Sequence, residues 1–234
     1  MKRIIILFAA ITTGLFATAQ TEVVATTSAH VVNPGGFYLK GGVNFANISV
    51  NNNGAADAAN QLTTFNIGFI GDIPLADMLS FQMGILANGE GAKTTNSTQS
   101  STTTMNPWYL QVPASLVLKL PITGDSRFFF GAGPYVQMGI GGRETTTTAA
   151  TSSSSDIKFN NDDPSTTQQE DASFDKLKRF DVGINYMAGI ETGDFMVGVN
   201  FDQGLTKINS TQSNNSANDN NKFRTFSINV GFRL

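Results

Sequence analysis

FDVGINYMAGIETGDFMVGVNFDQGLTKI, residues 180–208, is the stretch from which the fold can be read. Phe180, Val182, Ile184, Tyr186, Ala188 and Ile190 alternate with Asp181, Gly183, Asn185, Met187, Gly189 and Glu191. A period of two puts the apolar set on one face of a strand and the polar set on the other. After Thr192-Gly193-Asp194 the pattern restarts, with Phe195, Val197, Val199 and Phe201 opposite Met196, Gly198, Asn200 and Asp202. Two long strands joined by a tight glycine-containing turn make a β-hairpin. Alternation alone leaves open which face meets the core.

The same period recurs along the chain. Phe37 to Ala46, Thr64 to Ile73, Leu79 to Asn88, Trp108 to Leu120, Phe128 to Ile140 and Phe226 to Leu234 each alternate in this way. Eight strands result, and no helix is predicted. Their connections alternate in length: about 12, 15, 37 and 14 residues at one end, about 4, 6 and 3 at the other. In an up-and-down meander every second connection lies at the same end, so all long loops share one rim. Short turns at one rim and long loops at the other are the habit of a transmembrane β-barrel. The longest connection, residues 142–178, contains TTTTAATSSSS and NNDDPSTTQQED and is read as polar low-complexity loop without secondary structure.

Lys2 and Arg3, an apolar run from Ile4 to Phe16 and the triad Ala17-Thr18-Ala19 read as a secretory signal peptide over residues 1–19. Residues 20–35 form a lead-in, and 36–234 the barrel domain. Without Lys2 and Arg3, 13 basic residues stand against 18 acidic ones, a net charge near −5. The charges are scattered, which argues against a nucleic-acid partner. No cysteine is present, so disulfides, thiolate metal sites and a cysteine nucleophile are excluded. The single histidine, His30, lies in the lead-in and reads as a solvated residue. Asn160 to Asp163 fit no calcium-loop spacing. No catalytic, cofactor or metal residues are assigned, and the chain is not expected to be an enzyme.

The face without charge across the centre of every strand is the apolar one. Its aromatics gather toward the strand ends, with Phe37, Phe128, Phe195 and Phe232 near the turns and Phe65, Trp108, Phe180 and Phe226 near the loops. Two such belts match the interfacial girdles of membrane barrels, so the apolar face is expected to meet lipid. The expected fold is therefore an all-β, eight-stranded antiparallel up-and-down transmembrane β-barrel, with outer-membrane lipids as its surroundings. Eight strands enclose only enough room for side chains. Lys40, Asp72, Lys119, Glu191 and Arg233 fall on the inner face near the turns. They are expected to form a paired charge cluster that closes the periplasmic half of the lumen, because buried charges need partners. The alternative is that some of them point into water at the rim.

YLQVPASLVLKL (Tyr109–Leu120), FFFGAGPYVQMGI (Phe128–Ile140), FDVGINYMAGIE and VNFDQGLTKI occur in this order. This succession of Y-L-x-x-P, G-x-G-P-Y, F-D-x-G and G-L-x-x-I motifs resembles the PorT-like family of outer-membrane β-barrel proteins, over about residues 36–234. The resemblance implies a Gram-negative outer membrane and an eight-stranded barrel, and one branch of the family is tied to a protein secretion system. The expected function is a structural or surface-interaction role through four polar extracellular loops, with a plugged lumen. The alternative is a narrow channel or an accessory of a secretion system. Extracellular or secretion-system protein partners are compatible with both.

Overall fold

A computed structural model describes residues 34–49, 60–96, 100–160, 176–208 and 221–234. The signal peptide, His30 and nearly all of the lead-in lie outside the described residues, as do Asn161 to Asp163 of the calcium reading.

Among the described residues there are twelve strands: β1 (Gly36–Ser49), β2 (Leu62–Ala76), β3 (Leu79–Gly89), β4 (Ala92–Asn96), β5 (Ser101–Thr123), β6 (Ser126–Thr148), β7 (Ser152–Asp156), β8 (Lys158–Phe159), β9 (Lys176–Leu177), β10 (Phe180–Thr192), β11 (Phe195–Gly204) and β12 (Lys222–Arg233). Eight of them form a closed antiparallel ring in the order β1-β2-β3-β5-β6-β10-β11-β12. The seam is a full ladder from Tyr38↔Arg233 to Ser49↔Lys222, which leaves no open edge in the ring. The expected eight-stranded up-and-down barrel is the fold, and its strands are the ones read from the alternation.

Three turns at one rim contain two residues each: Asp77-Met78, Gly124-Asp125 and Gly193-Asp194. Gly124 and Gly193 have φ of 53° and 57°, and the following Asp does not share a positive φ. That combination is the II′ turn, whose twist suits a hairpin and whose first position favours glycine. The connections across residues 50–61, 90–100, 149–179 and 205–221 all leave from the opposite rim.

Burial settles the sense of the alternation. Val230 is 61% exposed, Ile67 55% and Phe195 63%, whereas Asn44, Lys119, Glu191 and Thr225 are fully buried. The barrel is apolar outside and polar inside, the reverse of a water-soluble carrier. Outward aromatics pair at both ends: Phe195 with Phe232 at 5.2 Å near the turns, Phe65 with Trp108 at 5.1 Å near the loops.

Large side chains fit inside because glycines face them. Gly189 and Gly198 are cross-strand partners. A Cβ on either would lie 2.6 or 2.9 Å from Cζ of Phe129, which is buried over them. An aromatic covering paired glycines restores the packing those residues lack. Gly189→Val should therefore cost about 1–3 kcal/mol through overpacking, read as a lower urea midpoint of the refolded barrel. Because a Cβ on Gly189 would also clash with the backbone oxygen of Val197, moving Phe129 aside would not make room, and an unchanged midpoint would contradict this packing.

The 142–178 connection is not structureless. β6 runs on to Thr148, β5 begins at Ser101, and β4 and β7 pair along their sides. Threonine is β-branched and suits a pleated strand, and its hydroxyls bond across the ladder. Thr103 and Thr146 lie 3.1 Å apart, Thr145 and Ser154 3.3 Å. Both faces of this ribbon are polar, so the sequence shows no alternation to betray it. β8 and β9 form a separate short parallel pair within the same connection.

Candidate functional site

The lumen and the mouth above it are where the barrel departs from a plain lipid-facing cylinder. Nearest the turns lies an ionic floor. Lys119 Nζ is 2.6 Å from Asp72 Oδ2 and 2.7 Å from Glu191 Oε2, and all three side chains are inaccessible. Arg127 approaches Glu191 Oε1 at 3.5 Å, and the Tyr38 hydroxyl donates to the same oxygen at 3.1 Å. Two carboxylates and two cations balance, as burial demands. β2, β5 and β10 supply Asp72, Lys119 and Glu191 near their last residues and β6 supplies Arg127 near its first, because all four strands meet the turns at this rim.

The five residues expected to cluster do not all meet. Asp72, Lys119 and Glu191 come together. Lys40 is directed toward the middle of the barrel and donates to Asn200 Oδ1 at 3.2 Å. Arg233 stays at the rim, where its Nε and a terminal nitrogen clamp Asp194 Oδ1 at 2.9 and 2.6 Å and so hold the β10–β11 turn. Arg127 and Tyr38 were missed. Arg127 sits one pair before Phe129 on the inner face of β6, and following the alternation back two residues would have found it.

Above the floor is a band of amides. Asn229 donates to Asn200 Oδ1 at 3.0 Å, Asn200 to Asn185 at 3.3 Å, and both Asn185 and Gln111 to Asp202, the latter at 3.0 Å. On the other wall Asn44 donates to Asn88 Oδ1 at 2.7 Å and Asn88 to Glu90 at 2.9 Å, while Thr225 also donates to Glu90. Asparagine carries both donor and acceptor on a short stem, so successive residues can link into chains across a narrow bore. The cavity left among them measures about 30 Å³.

The mouth is covered by an apolar cluster. Ile157 and Leu177, from the 142–178 connection, pack with Tyr109, Ile48, Ile208 and Phe223, and Phe159 lies against them. The Tyr109 ring meets Phe159 at 5.6 Å and Phe223 at 5.5 Å, both edge-on. Backbone bonds pin the cover down: Gly139 N to Arg179 O at 2.7 Å, Ile157 N to Gly142 O at 3.1 Å, Lys178 N to Ile208 O at 2.8 Å. Three isolated apolar residues in a polar stretch carry no period, which is why this cover was not legible.

A family model described as "Outer membrane protein beta-barrel domain" matches residues 19–210. Among solved structures, the chain is similar to Ail, the attachment invasion locus protein of Yersinia pestis, solved with the heparin analogue sucrose octasulfate. The identity is 13%, over 86% of this chain and 99% of that one, with a TM-score of 0.41. Neisserial surface protein A is 12% identical over 85% and 97%, with a TM-score of 0.43. OprG from Pseudomonas aeruginosa is 12% identical over 86% and 96%, with a TM-score of 0.42. No curated protein matches the chain.

Proposed function

The chain belongs to the outer membrane protein beta-barrel domain family, and from that membership we propose that it is a sealed barrel whose working surface is its loop rim. Its location is the outer membrane, with the apolar face against lipid. The observation that carries the reading is the closure of the bore. Among the described residues, an ionic floor, an amide band and an apolar cover follow one another along the axis. The cavity of about 30 Å³ has room for about two water molecules, not for a hydrated ion or a solute path. A barrel that conducts nothing is left with its rim for interaction, and partners would be extracellular proteins or surface glycans meeting the polar loops.

The test is conductance. The refolded chain, shown to be folded by its heat-modifiable migration on a gel, is expected to leave a planar bilayer silent. Regular conductance steps from folded protein would overturn the sealed reading.

A second reading rests on the ordered Y-L-x-x-P, G-x-G-P-Y, F-D-x-G and G-L-x-x-I motifs and their resemblance to PorT-like proteins. In it the barrel is an accessory of a protein secretion system, again acting through its rims. A deletion strain that loses delivery of secreted proteins while keeping an intact outer membrane would favour it over a purely surface-exposed role.

A further inference from the structure

Where β5 and β6 leave the lipid-facing belt, a shallow open groove of about 380 Å³ is lined by Asn106, Trp108, Gly142, Arg143 and Asp156. It is produced by a bulge. The register slips so that Trp108 pairs with Gly141 while Tyr109 pairs with Gly139. On its other side Trp108 pairs with Gly89. Both cross-strand neighbours of the indole therefore lack side chains, and a Cβ placed on Gly141 would touch nothing within 4 Å. Gly142 has φ of 155°, and a Cβ there would meet Pro107 Cα at 2.6 Å, so this kink needs glycine. Bulges of this kind re-aim the next side chain, here Arg143. Its side chain is 70% exposed and approaches Asp156 only at 3.7 Å through Nε. That is beyond a hydrogen bond and leaves the guanidinium able to engage a ligand.

The height of the groove identifies its occupant. Trp108 packs edge-on against Phe65 in the loop-side aromatic belt, which marks the boundary of the hydrocarbon. Below it the same outward face carries the exposed Ile140 and Val136. Above it the face continues into Thr104 and Thr145, directly paired across β5 and β6. The groove thus sits at the level of lipid headgroups, on a surface continuous with the lipid-facing wall. We propose that it binds the phosphorylated sugar headgroup of an outer-leaflet glycolipid. The indole offers an apolar platform for a sugar face, and Arg143 offers a planar fork suited to phosphate. Asn106 and Asp156 suit sugar hydroxyls.

Trp108 is the single tryptophan of the chain, so its fluorescence reports on this groove directly. The full chain is refolded into phosphatidylcholine vesicles, and lipopolysaccharide is titrated in while quenching by acrylamide is followed. Quenching is expected to fall as glycolipid is added. Arg143→Gln should require about ten-fold more glycolipid for the same protection, the loss expected of a charge-assisted contact. Asn106→Ala should shift the titration in the same direction, and heat-modifiability confirms that both variants are folded. The proposal is overturned if lipopolysaccharide leaves the quenching of wild-type protein unchanged, if phosphatidylglycerol protects equally well, or if Arg143→Gln titrates like wild type. None of these outcomes depends on whether the bore conducts.

Discussion

Lys119→Met is expected to destabilise the barrel by about 3–5 kcal/mol, the usual loss when one partner of a buried ion pair is removed. Methionine is unbranched like lysine and only one atom shorter, so the loss is chiefly electrostatic. Asp72 and Glu191 would remain inaccessible, and Arg127 lies 3.5 Å from Glu191. Urea titration in phospholipid vesicles, read by Trp108 emission or gel mobility, measures the change. Combining Lys119→Met with Asp72→Asn should recover much of the stability, since one cation and one anion leave together and Arg127 keeps its Glu191 partner. A single variant as stable as wild type would show that the floor is not energetically coupled.

Ile228→Arg should cost about 2–4 kcal/mol, the range for a cation on the lipid face near the bilayer midplane. Ile228 is 49% exposed and sits between Val43 and Val199 in the middle of β12. On a water-soluble surface the same change would stay within about 0.5 kcal/mol. The comparison therefore tests the orientation of the whole barrel at one position. Measurement in vesicles is needed, because a thin detergent layer lets the guanidinium reach water. A change below about 0.5 kcal/mol would be incompatible with a lipid-facing Ile228.

The clearest division between what could be read and what could not lies along β6. From Phe128 to Ile140 its residues alternate between lipid and lumen as the period of two predicts, with Phe129 the large apolar side chain that turns inward, over Gly189 and Gly198. From Gly141 to Thr148 the same strand continues with hydroxyls on both sides, and the alternation that announced it disappears. A similar limit applies to the charges. Asp72, Lys119 and Glu191 could be assigned to one end of the inner wall, because strand parity fixes the face and closeness to a turn fixes the end. Lys40 and Arg233 share that face but not that site. Strands in a barrel are staggered and tilted, so equal distance from a turn does not mean equal height in the lumen. A long lysine side chain can also reach along the axis.

Sequence alone determined the eight strands of the ring, their order, the faces of each across the lipid-facing belt and the rim from which the long loops leave. These follow from a period of two, turn glycines and loop parity, all local properties of the chain. Only the tertiary structure decided which inner residues touch, where Ile157, Phe159 and Leu177 land, and how a one-residue slip opens a groove beside Trp108. Those outcomes depend on register and stagger between strands far apart in sequence. Many pairings share one hydrophobic pattern, and only closure of the ring selects among them.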